Sequence, residues 1–495
     1  MKRKLSLILC LLLLIAAAGC GKTEPPANDT TPADTTANPQ TETESTETEP
    51  AFPALPEKDM DGYDFRIDNY NEEWLSWAIH ILTADETNGD ALNDEVWARN
   101  NRVMERFNCK ITAELEKNPS DTLAEKILSG ENTYKLVMIY DEQLVNHYAG
   151  GRLLTWDNIP YIDFTMDWWN ENAGATFIAN GKPFAATGDF SLSQSTRSFI
   201  MLFNKDMYAD LGFADDLYTL VEEGKWTDDK LYEMEEAAIA DLNGDGVIDL
   251  NDRFGCSTAV KLYFGSLVTG AGVKYIDQNE NGETVFAIPG NEYALHVLST
   301  ILEKHNGSNM FMKVAKDIHD GSTDAQAIFK DNHSLFIGSS MKAVSNYRDM
   351  ESDIGIIPFP KFDESQEKYY ALTSGGTMAS LPITLPAEEY ENVGLILEAM
   401  SRDSHTGLVP LYKETLLKSR YARDEGSAKM LDIIFASASY DIGLSTFSGD
   451  TYYKYMEVYY KGTDTFVSLT EKIAPTVAKD LAILTAVNDG EGGGD

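Results

Sequence analysis

Between residues 63 and 140 the spacing of apolar positions changes several times. Tyr63, Phe65 and Ile67 alternate with Asp64 and Arg66, which predicts a half-buried strand over 63–67. Leu92, Val96, Val103 and Phe107 share one helical face and predict a helix over 91–107, with Asn108 as its stop. Ile111, Ala113 and Leu115 alternate again, and 121–128 reads as a second helix. The near-continuous apolar run 135–140 has the character of a central parallel strand. Strand, helix, strand, helix, strand is the order of an α/β unit.

A second unit begins near Ser198. Strands are expected at 199–203, 334–337 and 354–357, and a helix at 228–240. A strand at 377–381 and a helix at 387–401, with Val393, Ile396, Leu397 and Met400 on one face, read as a return to the first unit. The fold class is therefore α/β with two units and more than one crossing between them. The expected segments are 56–195 for the first lobe, 196–370 for the second, 371–430 for the return and 431–487 for C-terminal helices. Residues 488–495 form a polar, glycine-rich tail, and no internal repeat is visible.

The N-terminus carries Lys2, Arg3 and Lys4 before an apolar stretch over 5–18, too short to span a bilayer and suited to a secretory signal. Ala17-Ala18-Gly19-Cys20 resembles the lipobox of bacterial lipoproteins, which implies that 1–19 is a signal peptide and Cys20 the lipidated mature N-terminus. The alternative is an ordinary signal peptide with a small-residue cleavage site. The polar Thr-, Glu- and Pro-rich segment that follows has no aliphatic run, so 20–55 is expected to be a disordered tether. The protein is thus expected on the extracytoplasmic face of a bacterial cell membrane, held there by lipid. Cys109 and Cys256, 147 positions apart, do not form a disulfide framework and read as buried thiols or a single bridge.

Composition narrows the partners. The 495 residues are 43% hydrophobic and 24% charged, with 40 Lys and Arg against 80 Asp and Glu. A net charge of −40 argues against nucleic acid and against a basic patch for anionic headgroups. It suits hydroxylated, neutral or cationic ligands and divalent cations, whereas a polyanionic substrate would need a local basic pocket.

One motif carries metal chemistry. In the loop 241–252, Asp241, Asn243, Asp245, Asp249 and Asp252 stand at positions 1, 3, 5, 9 and 12. Gly246 takes the turn at position 6, and Val247 offers its carbonyl at position 7. This resembles an EF-hand loop of the dockerin kind, ending in Asp instead of Glu, and implies a structural Ca2+; the alternative is a metal-free turn. The segment 277–282 repeats only the first half of that pattern and reads as a hairpin turn. Seven histidines form no zinc pattern, and no nucleophile elbow, Walker loop or dinucleotide fingerprint occurs. Aromatics offer sugar-stacking surfaces in adjacent Trp168 and Trp169, of which one is expected in the core and one in a cleft. Tyr452, Tyr455 and Tyr459, at helical spacing, read as core residues.

Several stretches in order resemble the extracellular solute-binding proteins of ABC importers, in the maltose-binding-protein group. They are Tyr148-Ala149-Gly150-Gly151-Arg152-Leu153-Leu154, Asn180-Gly181-Lys182-Pro183-Phe184, Leu202-Phe203-Asn204-Lys205-Asp206, Lys225-Trp226-Thr227, and Asp353 to Pro360 followed by Ser374-Gly375-Gly376. The resemblance implies a two-lobed periplasmic-binding-protein type II fold, each lobe a sheet flanked by helices, with ligand in the cleft between them. It implies a monomeric, non-enzymatic protein that delivers a solute, a mono- or oligosaccharide, to ABC permease subunits. By position it implies Tyr140 as a stacking residue and Asp189 and Arg197 as polar contacts on the crossing segment. Gln143 and Ser339 fall by position among the further ligand contacts, Gln194 and Ser374 are supporting donors or acceptors, and Trp168 is a ligand candidate as one of the two sugar-stacking tryptophans. An anchored glycan hydrolase, or the same fold around a peptide or other organic solute, is the alternative. A dockerin-like cohesion module does not fit, because dockerins pair two such loops in a short domain.

Overall fold

The apolar face expected over 91–107 is seen as helix α1, Ala91–Phe107, which buries Val96, Val103 and Phe107. Asp90 caps it by accepting the N–H groups of Leu92 and Asn93, and Asn108 ends it in the left-handed conformation at φ 47°. The computed structural model describes residues 54–487 apart from 72, 307–321, 419–424, 446 and 448–449. Cys20, the signal segment, the tether to residue 53 and the tail from 488 lie outside the described residues.

Strand β1 (Tyr63–Tyr70) pairs in parallel with β2 (Cys109–Glu116) along its whole length and with β3 (Leu136–Tyr140) at Ile67 and Asp68. The strand Thr377–Ser380 returns antiparallel to β3, with Thr377 opposite Tyr140. A second four-stranded sheet is centred on Phe199–Asn204 and Ser334–Ser340, flanked by Ile354–Ile357 and Phe254–Ser257. Period-2 alternation divides its faces: Ile200 and Leu202 pack with Ile354 and Ile356, while Met201 and Phe203 pack with Trp226 and Leu231. Both faces are covered, which is why Phe199–Asn204 reads as an unbroken buried run.

The chain crosses between the sheets along 186–198 and returns along 371–377. Ala186 bridges to Ala379 and Ser198 to Thr373, and a third segment, Ala438–Ser439, pairs in parallel with Ala371–Leu372. The helix expected over 228–240 stops at Ala238, because Ala240 exchanges backbone hydrogen bonds with Arg253 and is drawn out of helical geometry. The helix expected from 387 begins as a 3-10 turn and is α-helical over Tyr390–Thr406. Residues 277–282 do turn a hairpin, between Ile276–Gln278 and Thr284–Phe286. Tyr452, Tyr455 and Tyr459 are buried in the helix Thr451–Lys461. Cys109 and Cys256 are free and buried, and burial pushes the Cys109 thiol up to about 11. Among the described residues no helix is long and apolar enough to cross a membrane.

Candidate functional site

Tyr70 and Tyr140 are the last residues of β1 and β3, so both rings emerge at the carboxyl edge of the first sheet, where α/β sheets bind ligands. The loop after β1 adds Trp74 and Trp77. Tyr70 stacks on Trp74 with centroids 5.4 Å apart, and Tyr140 meets the same indole edge-on at 5.1 Å. Trp77 lies edge-on to Tyr140 at 6.5 Å, and its Nε1 donates to the Gly375 carbonyl at 2.9 Å. Edge-to-face rings of this kind hold one another rigid and leave the outer faces for a ligand.

The facing wall comes from the second sheet. The strand Ser334–Ser340 delivers Ser339 and Ser340 at its end, and the 3-10 segment Met341–Tyr347 adds Lys342, Asn346 and Tyr347. Between the walls lies a cavity of about 520 Å³, lined by Trp77, Tyr140 and Arg197 on one side and by Thr258, Ser339 and Ser340 on the other. The Tyr347 hydroxyl is buried at this cavity without a hydrogen-bond partner among the described residues. Burial raises its pKa to about 12, and the Ser339 hydroxyl opposes that shift. Lys342 Nζ donates to the Ser76 carbonyl, tying the two walls together.

The crossing segments supply the floor. Arg197 Nε donates to the Ser374 carbonyl at 3.1 Å and Nη1 to the Trp77 carbonyl at 3.4 Å, with the guanidinium 5.0 Å from the Phe199 ring centre. Asp141, the first residue of the helix Asp141–Ala149, accepts the Gly375 N–H at 3.0 Å and the Gln194 Nε2 at 3.2 Å. Burial, reinforced by Glu142, pushes the Asp141 carboxyl up to about 7. This carboxylate therefore joins the outgoing and returning crossings beneath the aromatic wall.

The predicted ligand contacts divide. Tyr140, Arg197 and Ser339 meet at the cavity. Ser374 is buried beneath it and takes part through its carbonyl, and Gln143 stands on the helix Asp141–Ala149, outside the cavity lining. Asp189 faces the other side of the crossing, where its Oδ2 contacts His405 Nδ1 at 2.6 Å in a second cavity of about 480 Å³ that Gln194 also lines. Burial raises the Asp189 pKa and His405 opposes it; the same bond raises the pKa of His405. Trp168 does not reach the cleft. Trp168 and Trp169 are both buried, because they stand in an irregular turn where strand alternation does not apply, and both indole N–H groups donate to Glu398 at 3.0 and 2.7 Å. Sequence reasoning passed over Trp74, Trp77 and Lys342. The signal for the first two was an aromatic pair three residues apart in a polar stretch directly after a strand's carboxyl end.

In the loop 241–252, Gly244 and Gly246 take φ of 76° and 82°, conformations that a side chain would strain. Asp241 accepts the N–H groups of Gly244 and Gly246, and Asn243 and Asp245 accept those of Asp245 and Val247. Asp252, fully buried, accepts the N–H groups of Leu242 and Asp249 and so closes the loop on itself. Oxygens that accept one N–H keep a second lone pair for a cation. Among the described residues, however, three or more acidic, His or Cys side chains are nowhere gathered as a metal-binding group.

No family model matches the sequence, and no curated protein matches it. Solved structures do. A cyclo/maltodextrin-binding protein complexed with maltotetraose aligns over 86% of this chain and 98% of its own, at 12% identity and a TM-score of 0.52. UspC of M. tuberculosis aligns over 84% of this chain and all of its own, at 13% identity and a TM-score of 0.56. An ABC substrate-binding protein of Listeria monocytogenes in complex with cycloalternan aligns over 85% and 100%, at 11% identity and a TM-score of 0.53. The fold is the α/β, two-lobed substrate-binding-protein type II fold, each lobe a sheet flanked by helices, with a cleft between the lobes.

Proposed function

We propose that this chain is an extracytoplasmic, lipid-anchored solute-binding protein that captures a carbohydrate and delivers it to ABC permease subunits. The observation that carries the reading is the cavity itself: a wall of Trp77 and Tyr140 faces a wall of hydroxyls from Thr258, Ser339 and Ser340. Sugars present apolar ring faces to the first and hydroxyl pairs to the second. The orphaned Tyr347 hydroxyl is a further partner for a ligand hydroxyl. Two of the structural neighbours hold oligosaccharides, maltotetraose and cycloalternan, which supports the same ligand class here. The reading is of binding without catalysis.

A thermal-shift screen against mono- and oligosaccharides, amino acids and peptides tests it, because a ligand that binds the folded state raises the melting temperature. A sugar should shift the transition without releasing reducing ends. Shifts confined to amino acids or peptides would remove carbohydrate from the proposal. With the sugar in hand, Tyr140→Ala should weaken binding by about 1–3 kcal/mol, roughly five- to 150-fold. Asp189→Ala removes the partner of His405 and should leave affinity in place. Equal losses in both variants, read by calorimetry, would move the sugar to the other side of the crossing.

The anchor is proposed from the segment around Cys20. Cys20→Ala should abolish incorporation of labelled lipid, and persistent labelling would overturn it. Ca2+ is proposed for the loop 241–252, held by Asp241, Asn243, Asp245, Asp249, Asp252 and the Val247 carbonyl, in a structural role away from the cleft. Added calcium should raise the melting temperature, and Asp245→Ala should abolish most of that gain. Calorimetry with no calcium heat at about millimolar ion, the weak end for such loops, would reduce the motif to a turn.

A further inference from the structure

The crossing segments have a cavity on each side. The one away from the cleft holds about 480 Å³, a volume within the range of small-molecule sites. The turn 164–171 of the first lobe forms one wall. The helix Glu425–Ala436, which packs through Leu431 and Ile434 on the second sheet, forms another. On the helical wall the cavity already seats a cation. Lys413 Nζ lies 5.1 Å from the Phe435 ring centre and donates to Asp432 at 2.8 Å, so an aromatic face and a carboxylate together hold an ammonium.

The turn offers the same two parts without a cation. Phe164 is half-buried and edge-on to Trp169, with ring centroids 5.5 Å apart, and Asp167 and Glu171 are exposed at the cavity. Neither carboxylate has a hydrogen bond or an ion pair among the described residues. On the crossing itself the unassigned group is again an acceptor. Gln194, which lines the cavity, is 2% exposed and spends its Nε2 on Asp141, while its Oε1 has no hydrogen-bond partner among the described residues. A buried acceptor left without a donor is costly. The basic groups of the lining do not answer these three. Lys413 is held by Asp432, and His405 is held by Asp189 at 2.6 Å, with Asp167 acting on it from farther away. Four carboxylates, at 167, 171, 189 and 432, therefore stand against two basic side chains. Ammonium and guanidinium groups carry donors and no acceptors, which is what this lining lacks. A metal ion does not fit, because among the described residues no three acidic, His or Cys side chains gather around one point.

We propose that this cavity is a second ligand site, on the far side of the crossing from the sugar cleft, and that it takes a small organic cation, an amine or guanidinium on a short apolar chain. Asp167 and Glu171 receive the cationic head beside the Phe164 ring, as Asp432 and Phe435 receive Lys413 on the helical wall. Gln194 Oε1 is the buried acceptor for an N–H at the inner end of the ligand.

The test is calorimetric titration of the protein with putrescine, agmatine and spermidine, and with 1,4-butanediol as the uncharged counterpart of putrescine. Salt at about 0.15 M screens loose attraction to the strongly acidic surface beyond roughly 8 Å. At least one amine should bind at one site per chain, about tenfold or more tightly than the diol. Asp167→Asn combined with Glu171→Gln should weaken that binding about tenfold or more, the scale of a lost charged hydrogen bond. Both residues are exposed, so the fold survives the change. Glu303→Gln combined with Glu471→Gln removes the same charge from exposed positions outside the cavity and should leave amine binding in place. Tyr140→Ala, in the cleft, should leave it in place as well. Equal losses in the two charge-removed variants would reduce the effect to diffuse attraction and overturn the site. Butanediol binding as tightly as putrescine would overturn the cation. Amine binding abolished by Tyr140→Ala would make the amine the solute of the cleft, and would overturn both this site and the carbohydrate reading. Absence of one-site binding by all three amines would overturn the site and leave the carbohydrate reading standing.

Discussion

Raising the pH from about 6.5 through about 9 is expected to cost the folded protein on the order of 3 kcal/mol through a single side chain, His305. His305 ends the helix Glu292–His305 fully buried, with Nε2 2.8 Å from Asp228 Oδ1 and Nδ1 2.9 Å from Glu235 Oε2. Burial alone would depress its pKa, but the two carboxylates outweigh burial and raise it to about 9. The folded state therefore binds the proton more tightly than the unfolded chain. That stability is complete below the unfolded pKa near 6.5 and is lost as pH rises through the folded value. The surrounding titratable groups do not blur the window. Burial holds the Tyr263 and Tyr459 hydroxyls and the Cys256 thiol well above their ordinary values, and Lys304, paired with Asp228 and Asp229, is raised as well. Asp228 is lowered, against its burial, by His305 and Lys304, so its own contribution fades only in acid, as pH falls through that lowered value. Denaturant midpoints measured from pH 6 to 10 should fall across this window. His305→Leu, which leaves two buried carboxylates without their cation, should cost about 3–5 kcal/mol at neutral pH and flatten the curve. A wild-type midpoint that stays level from neutral pH to about 9.5 would show that His305 is not charged in the folded protein.

Glu398→Ala is expected to destabilise the protein by about 3–5 kcal/mol while leaving ligand affinity unchanged. Glu398 lies on the helix Tyr390–Thr406, 1% exposed, and takes hydrogen bonds from Trp168 Nε1, Trp169 Nε1 and Arg402 Nε. Arg402 also lies 4.8 Å from the Trp168 ring centre. Truncation removes the one acceptor common to two buried indoles and breaks a charge pair in the core of the first lobe. Glu398→Gln, which keeps an acceptor oxygen, should recover part of the loss. If Glu398→Ala weakens sugar binding as strongly as Tyr140→Ala does, the two tryptophans belong to the ligand site after all.

The first lobe was legible from local pattern because local pattern causes it. The stripe Val96, Val103 and Phe107 and the cap Asn108 define α1 within its own residues, and alternation at Tyr63, Phe65 and Ile67 defines β1. The tyrosines at 452, 455 and 459 followed the same rule, and so did the hairpin over 277–282. Helix ends that answer to distant partners did not, as at Ala240, which Arg253 draws into extended pairing.

The candidate site was legible only where a residue's direction follows from the end of a strand. Tyr140 closes β3, so its place at the carboxyl edge was readable from sequence. Asp189 and Arg197 stand eight positions apart on one crossing segment and were indistinguishable in the chain. The fold sends Asp189 to His405, 216 residues away, and Arg197 to the carbonyls of Ser374 and Trp77. The sequence by itself determined the α/β elements, the acidic balance, the signal-like N-terminus and the order of oxygen-bearing residues over 241–252. Tertiary structure alone decided which wall each polar side chain faces and that both adjacent tryptophans are core. Side-chain direction on an irregular crossing is set by long-range partners, and no local period in the chain encodes those.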